Sequence, residues 1–281
     1  MSQEDGKSLE RRARISHEET ERRLLAAAVE QVNAAGLTVS LEHLSFEAAI
    51  ESAGVSRSTA YRRWPNKELF LRDLLLELAR AATPREVVLG DSSWATIGEL
   101  VLAEPERLPD PDFRRTLVSE LFRTVSDLDF QLMNASAEWR TYLALHATYA
   151  SLGEARLRQQ VQEALAAAQQ RFVASMAANW EQIAALLGFR LQSAEVGFQA
   201  GAELISASVR GMLVMSMADP AMAQRRVDAD PFGTGTEQWS LVAFGCAALA
   251  ASFLEPVPGL VWDAARTAAL RAELEANPHR D

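Results

Sequence analysis

Apolar residues recur along this chain at three- and four-residue steps, and no bounded stretch sustains the apolar–polar alternation of a strand. The pattern predicts an all-α protein. Ser16 to Glu19 forms a capping box heading a first helix, whose Leu24, Leu25, Ala28, Val29 and Val32 share one face before Gly36 stops it. A second helix is expected from about Ser45 to Ala53, closed by Gly54. Ser56 caps a short third that reaches Arg63 or Trp64 before Pro65, and Asn66 caps a fourth carrying Leu69, Phe70, Leu74, Leu75 and Leu78. Beyond Thr83-Pro84 the predicted helices lengthen: 93–106, 111–133, 135–150, 154–187, 193–217, 237–254 and 260–276. The one from Glu154 keeps Leu157, Val161, Leu165, Phe172, Met176, Trp180, Ile183 and Leu187 in step over about 51 Å, the length of a bundle's spine. Residues 218–236, with Pro220, Pro231, Gly233 and Gly235, are expected to form a long loop. The break at Thr83-Pro84 divides the chain into residues 1–82, a flexible arm and a three-helix helix-turn-helix domain, and 83–281, a larger helical bundle.

With 48% hydrophobic residues in 281, the chain can bury a substantial core. Its net charge of −10 excludes a surface coated in positive charge for indiscriminate nucleic-acid binding. The average hides an island. Between Arg57 and Arg72, Arg57, Arg62, Arg63, Lys67 and Arg72 face one acid, Glu68, so this window carries +4. Residues 1–80 hold 12 basic and 13 acidic groups, net −1, which leaves −9 for the remainder. Any phosphate-binding surface is therefore small and lies near residue 60. The single cysteine, Cys246, and an opening of Met1-Ser-Gln-Glu-Asp without a secretory leader lead to the expectation of a cytoplasmic, reducing setting. The longest apolar run, Leu241 to Leu254, is shorter than the roughly 20 residues that span a bilayer, so no membrane partner is expected.

Ser45 to Lys67 holds a helix, a turn at Ala53-Gly54-Val55 and a second short helix, the spacing of a helix-turn-helix. On the second helix Ala60 and Trp64, four apart, face the small core with Val55. Ser58, Thr59, Tyr61 and Arg62 are thereby directed outward, Arg57 occupies the first turn and Arg63 the flank. Arginine suits forked contact with guanine, whereas hydroxyls and the Tyr61 phenol more often hold phosphates and set register. Asn66-Lys67 at the start of the fourth helix offers free amides plus a charge for a phosphate.

The run Ala53-Gly-Val-Ser-Arg-Ser-Thr-Ala-Tyr-Arg-Arg-Trp-Pro-Asn-Lys-Glu-Leu-Phe70 resembles the turn, recognition helix and following helix start of the tetracycline-repressor (TetR) family. The resemblance covers Leu24 to Leu74; the rest shares only helical character. It implies a recognition helix in the major groove, Tyr61 and Lys67 on phosphates, and a divergent C-terminal domain that dimerises and binds an effector. Two departures stand out. About three extra residues separate Gly36 from Ser45, and Ala49 stands where the family has isoleucine, with Ile50 beside it. Trp64 replaces the more frequent phenylalanine. Lys7, Arg11, Arg12 and Arg14 form either a minor-groove arm or a disordered tail.

No phosphate-cradling loop, nucleophile elbow or cofactor motif occurs, and His17, His43, His146 and His279 are scattered, so neither an enzyme nor a metal site is expected. Trp139, Tyr142, His146 and Tyr149 fall on one helix face. They line an effector pocket, with Trp180, Phe198, Met212 and Met215 as apolar wall, or serve as ordinary core. Gly197, Gly201, Gly211 and Gly245 permit close helix approach, either across a dimer interface or within the chain. The expected function is a homodimeric, ligand-responsive transcriptional regulator, a repressor, binding a palindromic double-stranded operator and a hydrophobic or aromatic small molecule. The alternative is a helical small-molecule- or partner-binding protein without operator recognition.

Overall fold

The computed structural model describes residues 16–35, 44–80, 91–193 and 195–276. The fold is all-α with a few short strands. The basic residues Lys7 to Arg14, the extra residues after Gly36, His43, the Thr83-Pro84 break and His279 lie outside the described residues. The chain forms two compact units, Met1–Leu78 and Ala79–Asp281. The division falls in the last turn of a helix.

The first unit contains α1 (His17–Ala35), α2 (Phe46–Ser52), α3 (Arg57–Arg63) and most of α4 (Lys67–Arg80). Each start is fixed by a short polar side chain. Ser45 Oγ accepts from the Ala48 amide, Ser56 Oγ from Thr59 and Asn66 Oδ1 from Leu69, each satisfying an orphan first-turn donor. At α1 only half of the capping box forms: the Glu19 amide donates to Ser16 Oγ, while the Glu19 carboxylate turns forward to Arg22 and Arg23. Those two guanidinium groups hold it down to about 2. Gly54, at φ 63, makes the left-handed turn between α2 and α3 that a side chain would oppose. Aromatic rings fill the small core. Phe46 lies 4.4 Å from Phe70 and 6.2 Å from Trp64, Trp64 lies 5.3 Å from Phe70, and Trp64 Nε1 donates to Asp73. Ala49 and Ile50 are both buried.

In the second unit α6 (Pro111–Ala135), α8 (Ala155–Leu187), α9 (Gly197–Ala218) and α11 (Leu241–Ala251) pack on one another: α11 lies against α6 and α9, and α8 against α9. α5 (Asp91–Leu102) packs on α6, and α7 (Ala137–Thr148) and α12 (Ala264–Ala276) complete the helices with the short α10 (Ala221–Gln224). The expected 218–236 loop is instead α10 followed by a hairpin, β2 (Arg226–Ala229) antiparallel to β3 (Glu237–Ser240). Trp239 anchors it, almost wholly buried, with Nε1 donating to the Ala229 carbonyl. Strands also shorten the expected 237–254 helix. Glu237–Ser240 pairs with β2, and β4 (Leu254–Pro256) pairs with β1 (Phe189–Leu191), so these backbone groups are committed to ladders outside α11. Among the described residues no helix is long and apolar enough to cross a membrane.

Candidate functional site

Two features stand out, one in each unit. In the first, α3 is a short helix whose inner face is Ala60, with Trp64 at its C-cap, both fully buried. That anchoring leaves Arg57, Ser58, Tyr61 and Arg62 exposed, and Lys67 is exposed at the start of α4. Thr59 departs from its expected outward position. It is half-buried, and its hydroxyl lies 2.7 Å from Ser56 Oγ, because the cap draws it inward. Arg63 departs further: its Nε and Nη2 donate to the Glu21 carboxylate and Nη2 also to Asp73, so this guanidinium braces α3 against α1 and α4. Both acids push its pKa up.

Glu47 on α2 had no sequence signal. Its Oε1 accepts from Tyr61 Oη at 2.6 Å and its Oε2 lies 3.1 Å from Arg57 Nε, so one carboxylate engages two of the residues expected on DNA. The same contact raises the Tyr61 phenol above its ordinary value. Arg62 Nη2 lies 3.4 Å from His17 Nε2.

The second feature is a cavity of about 130 Å³ walled by α5, α6, α7, α8, α9 and α11 with the ends of β1 and β4. Its wall is mostly aliphatic, with the rings of Phe122, Trp139, Phe172, Trp180, Phe189, Phe198 and Phe253 set into it. An engineered apolar cavity of about 150 Å³ takes up benzene, so this volume is on the scale of a single ring. Gly201 shapes one side, since a Cβ there would stand 2.8 Å from Phe253 Cζ. Gly245 comes near Ser208 of α9, whereas Gly197 and Gly211 have open space beside them. Of the six expected pocket residues, Trp139, Trp180 and Phe198 line this cavity, and Tyr142, His146 and Met212 do not.

The physical reason is that the α7 stripe turns past the cavity after its first turn. Tyr142 is buried and its hydroxyl donates to Gln169 Oε1 at 3.0 Å, while His146 Nδ1 donates to the Tyr142 carbonyl at 3.1 Å with its ring 4.2 Å away. Burial lowers the His146 pKa, and Arg210 adds to the effect. Tyr149 is half-buried, Met212 half-buried, and Met215 points to solvent with 53% exposure.

Few polar side chains reach the wall: Ser126, Asp129, Ser206 and Arg210, with the Cys246 thiol, which burial pushes up to about 12. Ser93 donates to Asp129 Oδ1. Arg210 was missed in the sequence although a signal existed, because it is the sole charge between Glu203 and Asp219 on an apolar helix. Among the described residues no group of three or more His, Cys, Asp or Glu side chains is placed to hold a metal ion.

No family model matches the chain, and no curated protein matches it. Among solved structures it is similar to a SmeT–triclosan complex, with 18% identity over 87% of this chain and 97% of that chain and a TM-score of 0.42.

Proposed function

We propose that this protein is a ligand-responsive transcriptional regulator of TetR type, a repressor that binds a palindromic operator as a homodimer. The observation that carries the reading is α3: a seven-residue helix anchored by Ala60 and Trp64, entered through the Gly54 turn, with Arg57, Ser58 and Arg62 on its exposed side. Arg57 and Arg62 read base edges, and Tyr61 and Lys67 hold phosphates. The cavity of the second unit receives a hydrophobic or aromatic effector. A second copy covers the exposed side of α9, where Leu204, Val214, Met215 and Met217 are all about half exposed around Gly211, which has open space beside it.

Mobility-shift titrations with genomic fragments at two salt concentrations test this. A subset of fragments should shift, with affinity falling as salt rises. Lys67→Ala should weaken all fragments alike and reduce the salt slope by about one, whereas Arg57→Ala should cost about 1 to 3 kcal/mol and relax one base position. A second reading, a helical ligand-binding protein without operator recognition, is favoured by Glu47, which already engages Arg57 and Tyr61. Absence of any shifted fragment at low salt would establish that second reading and end the first.

A further inference from the structure

Phe232 stands in the tip of the β2–β3 hairpin, half-buried, with its ring stacked on that of Phe122 at 5.8 Å and 28° between planes. Phe122 belongs to α6 and lines the cavity; Phe232 does not line it. Among the described residues Phe122 has two ring neighbours. One is Phe232, and the other is Trp180, met edge-on at 6.3 Å and itself part of the cavity wall. Phe122 is therefore a partition between the cavity and a residue of the hairpin that backs it.

A partition is only as firm as its backing. A phenylalanine ring turns aside about its two side-chain torsions wherever neighbouring space permits, and here a braced element takes up that space. Trp239, 1% exposed, pairs with Val227 in the ladder and donates from Nε1 to the Ala229 carbonyl. The Thr234 amide donates to Asp230 Oδ1 across the tip at 2.7 Å, and Arg226 reaches Asp127 of α6 at 3.3 Å. Phe232 also packs on the buried cluster of Trp239, Ala243 and Ala247. Another side of the cavity is closed by backbone, since a Cβ on Gly201 of α9 would stand 2.8 Å from Phe253 Cζ. The Phe122 side is closed by side chains alone, and its firmness comes from outside the cavity.

We infer that Phe232 is a positioning residue that sets the size of guest the cavity accepts: by backing Phe122 it holds the space to a single aromatic ring and excludes fused two-ring molecules. The inference rests on the cavity being the effector site and adds the size limit of the effector. Forcing extra carbon atoms into packed surroundings is unfavourable unless a wall gives way, and with Phe232 in place the Phe122 wall has no room to do so. Removing the Phe232 ring leaves a void on the scale of one ring behind Phe122, into which Phe122 relaxes, and the cavity gains that space.

Calorimetric titration of the full chain with toluene and 2-methylnaphthalene tests the assignment. The wild type should bind toluene about tenfold more tightly. Phe232→Ala should reverse the order, because the larger guest buries more apolar surface once it fits. Phe232→Leu should bring the two affinities close together, and it decides the matter if Phe232→Ala does not fold. Val227→Ala weakens the hairpin without removing the backing ring, and should leave the ratio of the two affinities as in the wild type. A wild type that prefers 2-methylnaphthalene, a ratio unmoved in the folded Phe232 variants, or a ratio moved as far by Val227→Ala as by Phe232→Ala overturns the inference. Toluene binding with an unmoved ratio leaves the cavity as an effector site and removes only the role of Phe232. No binding of either probe by any of the chains removes both.

Discussion

Glu47 decides how much of the positive island near residue 60 is available to a polyanion. It holds Tyr61 at 2.6 Å and Arg57 at 3.1 Å, so phosphate or base contact by either residue first has to displace a carboxylate. Exposed pairs of this kind are worth about 0.2 to 1 kcal/mol. Glu47→Gln should therefore tighten binding to operator and to random duplex alike by about that amount, measured by fluorescence anisotropy at low salt; weaker binding would show that Glu47 orders the recognition helix instead of opposing its ligand. His146 governs a different property. Burial lowers its pKa below 6.5, so between the folded value and 6.5 the unfolded chain binds more protons and stability rises with pH. Stability should be lost as pH falls below about 6.5, until the folded pKa is passed. His146→Gln should flatten that part of a denaturant-midpoint profile, and an unchanged slope would place the sensitivity at another group.

At the scale of elements, the turn between α2 and α3 is the most position-specific part of the first unit. Gly54→Ala keeps open space around the new methyl but forces a side chain to φ 63, at a cost of about 1 to 2 kcal/mol. Trp64→Ala removes a fully buried ring and the donor to Asp73, and should cost about 3 to 5 kcal/mol. Thermal melts should rank the two in that order, and near-equal losses would mean the ring core is less tightly coupled than its 4.4 to 6.2 Å centroid spacings indicate. These elements were legible in the sequence because their signals are local: Ser45, Ser56 and Asn66 each cap a helix within three residues. The cavity of the second unit was legible only in part. Periodicity shows that Trp139, Tyr142 and His146 share a face, but the direction of that face depends on Gln169 and Arg210, distant in sequence. The β2–β3 hairpin was hidden because four-residue strands flanking Pro231, Gly233 and Gly235 leave too little alternation to distinguish from a loop.

For the whole molecule, the regulator reading requires two recognition helices held at a fixed separation. Sedimentation should find a dimer at micromolar concentration, and footprinting should find half-sites centred about 34 to 36 Å apart or a multiple of that. Replacing Val214 and Met215 by glutamate should yield a monomer with full helicity and weak operator binding, and an intact dimer would move the interface away from α9. Effector and operator must weaken each other's binding by the same factor if the ligand releases DNA. The cavity carries one more consequence, expressed in volume rather than in free energy. A folded chain that shapes a half-open cavity of about 130 Å³ keeps imperfectly packed space between its side chains, and unfolding removes that space. Hydrostatic pressure should accordingly act most strongly on the unit containing α5 to α12. A guest that fills the void should reduce the volume released on unfolding, making compressibility a readout of occupancy that needs no DNA.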